Sequence, residues 1–276
     1  MRNQVISLYD YTGEALRPWA EAGYSCYAYD IQHERFAHDI QHDGGRMEGN
    51  ITYVYADLYN SDTLLEIIAR HESKACFMSA FPPCTNLAVS GSRWWKKKAE
   101  ANPHFQTEAA LHVQRCMLVG TALGCPFYIE NPIGALTRLW RKFDYTFNPC
   151  DFGGYLPEDD VHPRYPEVIP PRDAYRKKTC LWTGGGFNMP RPNAVAHETL
   201  TYERKDPKKG KAFSPVHGKT GGKSLRTKNI RSATPRGFAK AVFLANADHT
   251  WVNTEESVLG GVRDYGNGVI VKGYIQ

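Results

Sequence analysis

The strongest constraint on the fold is the stretch at residues 75–84. A largely apolar run over 75–81 ends at Pro82-Pro83, and Cys84 follows at once. A short apolar run bounded by turn signals reads as a buried strand. Neither proline can donate to a strand ladder, so together they end the strand and stiffen the turn. A thiol is therefore held at the end of a buried strand. Beyond it a small, polar loop leads into Trp94-Trp95-Lys96-Lys97-Lys98. In open α/β sheets, ligands bind at such strand ends.

The rest of the chain repeats the strand–helix alternation. Residues 4–9 predict a first strand, 10–14 a turn, 15–22 a helix closed by Gly23, and 25–29 a second strand ending in Asp30. An acid about twenty residues past the first turn is where nucleotide-binding sheets place the group that holds a ribose. A third strand at 51–55 is closed by Asp57-Leu58. Ser61 caps a helix running to Arg70, and 106–123 forms a long helix with Ala110, Val113, Met117 and Leu118 on its apolar face. Strands follow at 127–129, ending in Glu130-Asn131-Pro132, then at 145–147 and 179–182. Thr234-Pro235 opens a helix to Ala245. This alternation predicts an α/β fold with a mostly parallel sheet. The composition shift at Gly184-Gly185-Gly186 divides the chain. Residues 1–183 form the main domain, 184–245 a small basic region, and 246–276 a C-terminal segment.

Charge is unevenly placed. The chain carries +5 overall, yet residues 202–236 hold eleven Lys or Arg against Glu203 and Asp206, a net +9 that leaves the remainder at −4. A basic segment on a mildly acidic body suits a polyanion partner or a solvated surface loop. Seven cysteines without paired spacing suit a reducing compartment, so a cytoplasmic location is expected. No metal is expected: there is no CxxC or CxxH, and His33, His38 and His42 match no compact ligand spacing. No membrane association is expected either, because the longest weakly polar run, 118–129, is too short to span a bilayer. Residues 218–224 fall short of a phosphate loop: His217 stands where its first glycine belongs.

Pro82-Pro83-Cys84 after one strand and Glu130-Asn131-Pro132 after another, with the first βαβ turn, resemble the DNA cytosine-5 methyltransferases, especially compact phage-type members. The resemblance covers most of the chain. It implies a Rossmann-like sheet with helices on both faces and a small basic target-recognition region. The implied reaction moves a methyl group from S-adenosylmethionine to carbon 5 of cytosine, leaving S-adenosylhomocysteine. Cys84 would be the nucleophile, Glu130 would hydrogen-bond ring nitrogen 3, and Asn131 would hold the loop. Tyr9, Asp10, Thr12 and Gly13 resemble the first cofactor motif. Asp30 and Ile31 resemble the ribose acid and its adenine-packing neighbour, and Asp57 and Leu58 the pair at the adenine edge. Pro82 and Asn267 complete the implied cofactor pocket. The target, duplex DNA bound by a monomer, would meet Arg93, Lys96, Lys97, Lys98, Lys177, Lys219, Lys223, Arg226 and Arg231, with Arg164 a further contact. Trp94 or Trp95 would stack or fill space near a flipped base. The chain departs from the family at Tyr11 and Glu14, where glycines are usual, and at Thr85, where glutamine is. Two alternatives stay open: the same chemistry on RNA or single-stranded DNA, and a non-catalytic DNA-binding protein on this scaffold.

Overall fold

The computed structural model describes residues 2–33, 45–201, 212–221 and 224–248. Residues 1–246 form one compact unit and 247–276 a second. Asn267 and Lys223, and with Asn267 the expected return of the C-terminal segment, lie outside the described residues.

Eight strands build the main sheet: β1 (Gln4–Leu8), β2 (Ser25–Asp30), β3 (Gly45–Glu48), β4 (Ile51–Tyr55), β5 (Ala75–Ala80), β6 (Phe127–Pro132), β7 (Tyr145–Phe147) and β8 (Thr179–Gly184). Their order is β3-β4-β2-β1-β5-β6-β8-β7. The pairs β4–β2, β2–β1, β1–β5 and β5–β6 are parallel, whereas β8 runs antiparallel to both β6 and β7, and β3 antiparallel to β4. The sheet is thus α/β, mixed rather than uniformly parallel, and consistent with a Rossmann-like fold. From β1 the chain builds outward through β2 and β4, then crosses back to add β5 and β6 on the other side. That reversal puts a topological switch point between β1 and β5, where the strand ends leave a crevice.

Helices cover both faces. Helix α1 (Arg17–Glu21) and the last described helix, α8 (Arg236–Asn246), pack together on one face. There Trp19 stacks on Phe77 with centroids 4.8 Å apart and meets Phe243 at 5.2 Å. Helices α2 (Ser61–His71) and α4 (Phe105–Leu123) cover the other. Met78 and Ala80 of β5 join Leu64, Ile67, Ala110 and Val113 there in the main apolar cluster. The β5 residues thus alternate between two buried faces, as a central strand of a covered sheet must. Two local expectations shift. Asn60, not Ser61, caps α2, its side chain accepting from Asp62 N at 2.9 Å. Leu118 is 67% exposed, off the buried stripe of α4.

The division at 183/184 does not follow the packing. Helix α8 belongs to the main sheet, where Phe238 stacks on Phe147 (4.0 Å) and meets Tyr128 (5.7 Å). Conversely, Tyr165, Val168, Ile169 and Tyr175 form a satellite core with Val216, Ile230 and Ala233. Those last three flank or lie in α6 (Pro215–Lys219) and α7 (Leu225–Ser232), with a two-stranded ribbon, β9 (Leu200–Thr201) and β10 (Ala212–Phe213), nearby in sequence. The small region therefore begins, in packing terms, upstream of Gly184. Helices α3 (Trp95–Ala101) and α5 (Leu136–Leu139) complete the described helices.

Candidate functional site

The end of β5 carries Cys84 and the end of β6 carries Glu130 and Asn131. Because the two strands are parallel neighbours, their C-terminal ends open on the same crevice. Asn131, 1% exposed, donates from Nδ2 to the Pro82 carbonyl at 3.0 Å, so it ties the Cys84 loop to β6. Its Oδ1 is buried without a hydrogen-bond partner among the described residues. Lys177 lies just ahead of β8, which pairs with β6. Its Nζ stands 3.6 Å from Glu130 Oε1, with both side chains largely buried.

Only Cys84 and Cys76 among the seven thiols are half-buried; the other five are buried. Burial pushes the Cys84 thiol up, the Lys177 ammonium pulls it back, and the Glu130 carboxylate adds to the upward push. A nucleophilic thiol needs a route to its thiolate. Here the nearby cation offsets part of the burial, and the thiol still stays above its ordinary value. Lys177, expected as a nucleic-acid contact, pairs with Glu130 and acts on the Cys84 thiol through its charge.

The first turn is built by Asp10, which is 4% exposed. Its Oδ1 accepts from Thr12 N (3.1 Å) and Gly13 N (2.8 Å), and its Oδ2 from Ser7 Oγ (2.8 Å). Asp10, Thr12 and Gly13 thus satisfy one another, and those two main-chain donors already have a partner. Gly13 has φ +69°, and a Cβ there would lie 2.6 Å from Tyr53 Oη. Only glycine suits that conformation and that space. Tyr9, itself at φ 57°, donates from its hydroxyl to Leu58 O at 3.1 Å. Leu58 is 1% exposed, so its side chain is core and does not form a surface beside Asp57. Pro82 is likewise buried.

Glu14 is 1% exposed and is gripped by Arg17 (3.3 Å) and Arg164 (3.5 Å). Burial pushes its carboxyl up against the pull of these guanidiniums. Arg17 also meets Glu48, which pairs with Arg46 at 2.8 Å. Arg164 is therefore a partner of this network. With Tyr11, His33, Arg46 and Tyr53 it lines a cavity of about 300 Å³ beside the turn.

Beside the β1 turn, Asp30 ends β2, and one of its oxygens accepts from Gln32 N at 2.7 Å. Burial, with Asp10 nearby, pushes its carboxyl up to about 6. Ile31 is exposed, and Asp57 ends the turn after β4, accepting from Tyr59 N at 3.0 Å. Tyr59, which sequence reasoning missed, is exposed and stands edge-on to Tyr9 with centroids 6.4 Å apart. Its hydroxyl is pushed up by burial and by the charges of Asp57 and Asp30, so all three groups share one corner. An aromatic two residues past a strand-end acid was the available signal.

The expected nucleic-acid contacts separate into two groups. Arg93, lying over Trp94 at 5.2 Å, and Lys96, Lys97 and Lys219 are exposed. Lys98 and Arg231, both half-buried, and Arg226, still exposed, have partners within the fold. Lys98 donates to Asn86 Oδ1 at 2.7 Å, Arg226 pairs with Glu167, and Arg231 donates to Thr220 Oγ1 (2.9 Å) and to the Thr220 carbonyl. Trp95 packs against the main core, which leaves Trp94, 45% exposed, as the tryptophan facing solvent.

No protein-family model matches the chain, and no curated protein is significantly similar to it. Among the described residues no helix is long and apolar enough to cross a membrane.

Proposed function

We propose that this chain is a cytosine-5 methyltransferase that uses S-adenosylmethionine and acts on DNA. The observation that carries the reading is the convergence of Cys84, Glu130 and Lys177 at the ends of β5, β6 and β8, beside the acid-bearing ends of β2 and β4. The residues at those ends fit the cofactor. Asp30 keeps an acceptor for ribose hydroxyls, while exposed Ile31 and Tyr59 offer apolar and aromatic surface to an adenine. Bound there, the cofactor supplies an electrophilic methyl group.

The protein's own groups do the rest. Carbon 5 of cytosine is a poor nucleophile. Addition of Cys84 Sγ to carbon 6, with the thiol proton passing to solvent, raises electron density at carbon 5. Glu130, taking a proton from solvent as the base binds, donates it in a hydrogen bond to ring nitrogen 3 and stabilises the charge that builds there. Lys177 holds Glu130 in place and favours the thiolate. After carbon 5 takes the methyl group it loses its proton to a base, and the electron pair expels Cys84. The target atom is out of reach in a stacked duplex, so the base must leave the stack at a cost of a few kcal/mol. Arg93, Lys96 and Lys97, exposed just past the Cys84 loop, are suited to the flanking phosphates.

Labelled S-adenosylmethionine and cytosine-containing duplexes test this, with a 5-fluorocytosine duplex as trap and RNA and single-stranded DNA as parallel substrates. A covalent adduct that disappears in Cys84→Ser is expected. No transfer and no such adduct on any polymer would sink the reading; adducts confined to RNA would redirect it to that substrate.

A further inference from the structure

Cys84 and Glu130 leave the sheet on separate loops, and their relative position depends on what joins those loops beyond the strand ends. Three hydrogen bonds do so. Asn131 Nδ2 donates to Pro82 O at 3.0 Å, Ala135 N to Leu87 O at 2.8 Å, and Val89 N to Ile133 O at 3.1 Å. The last two enclose an antiparallel bridge between Ala88 and Gly134. Inside this bracket Leu87 N and Ala88 N both donate to Cys84 O at 2.9 Å, closing the loop into a turn with the thiol at its start.

Gly134 lies where the two loops bridge, opposite Ala88. A Cβ there would stand 1.9 Å from Leu87 O, 2.7 Å from its carbonyl carbon and 3.1 Å from Ala88 Cα. Each of those atoms is backbone and cannot swing aside as a side chain would. Gly134 is not among the positive-φ glycines, so proximity rather than conformation requires glycine here. We propose that Gly134 is a positioning residue: its missing side chain lets the loops close on each other, and that contact sets Cys84 Sγ against Glu130 and Lys177. Its catalytic meaning rests on the methyltransferase reading, but the contact is testable without it. A displacement of about 1 Å at a reacting group can cost on the order of 100-fold in rate.

Two variants probe the contact differently. Gly134→Ala inserts the clashing atom. Val89→Pro removes the donor to Ile133 and otherwise changes only an exposed side chain. Ala88 is already extended (φ −67°, ψ 134°), as a residue before proline should be, and Val89 opens a 3-10 turn where proline is tolerated. Alkylation of Cys84 by iodoacetamide is followed by peptide mass spectrometry across pH, with half-buried Cys76 as internal reference and circular dichroism to check folding. The expected result is a Cys84 rate changed by about tenfold and a displaced pH midpoint in Gly134→Ala. Val89→Pro should shift the same way by less, and Cys76 should not change. Adduct formation with a 5-fluorocytosine duplex should fall by about 100-fold while nucleic-acid affinity holds. An unchanged Cys84 rate and midpoint in folded Gly134→Ala would overturn the proposal; if that variant does not fold, an unchanged midpoint in Val89→Pro does so. Wild-type protein that forms no adduct, while Cys84 alkylation still responds to both variants, would remove the methyltransferase reading and leave the loop contact standing.

Discussion

Replacing Asp30 by asparagine separates what this residue does for the fold from what it does for a ligand. Its carboxyl is 6% exposed, and burial raises it from 3.8 to about 6. The sign follows from proton counting. Between those two values the folded chain holds a proton that the unfolded chain has released, so stability falls as pH rises from about 4 to about 6 and stays lowered above that. A shift of about two units at about 1.4 kcal/mol each gives an upper figure near 3 kcal/mol. Asparagine keeps an oxygen for Gln32 N but brings an amide with its own desolvation cost. The net gain expected for Asp30→Asn at pH 8 is therefore about 1–3 kcal/mol. Urea unfolding of both proteins at pH 8 and pH 4 measures it, and the gain should vanish at the lower pH. S-Adenosylhomocysteine should raise the wild-type midpoint and leave the variant's where it was. A variant no more stable than wild type at pH 8, or equally stabilised at both pH values, would refute the reasoning that Asp30 is held at a cost to the fold.

Three further outcomes follow from the same geometry. Lys177→Met removes the cation that pulls the Cys84 thiol down, so the pH profile of Cys84 alkylation should move upward, while Lys177→Arg should keep it near wild type; an unmoved profile in Lys177→Met excludes this role. His71, bonded to Tyr29 Oη (2.7 Å) and Gln4 (2.8 Å), is pushed down to about 4 by burial, so its contribution is complete above about 6.5 and is lost toward pH 4 at no more than about 1.4 kcal/mol per unit. His71→Gln should flatten the acid limb of the unfolding curve, and an equally steep limb would contradict this. Lys96→Ala, Lys97→Ala and Lys219→Ala should each lower the salt slope of nucleic-acid binding by about one, whereas Arg231→Ala and Lys98→Ala should lower stability and leave the slope; the reverse pattern would move the interface.

Much of the sheet was legible because its signals are local. The apolar runs at 25–30, 51–55 and 75–81, the prolines after β5 and the glycine after α1 each act within a few residues, so the strand ends carrying Asp30, Asp57, Cys84 and Glu130 could be located from sequence. The reversal of β8 could not. A three- to six-residue apolar strand pairs in either direction, and only closure of the sheet edge decides which. Nor could the partners of the basic residues be read. Lys177, Lys98, Arg226 and Arg231 look alike in sequence, as basic residues that could equally meet a nucleic acid or a protein partner. Glu130, Asn86, Glu167 and Thr220, respectively, claim them in the fold, two of them from more than forty residues away. Sequence by itself determined which chemistry-bearing residues stand at strand ends, because strand boundaries are set by short-range backbone preferences. Tertiary structure alone decided which charges meet and that Gly134 lies against the Cys84 loop, because those contacts exist only once distant segments have packed.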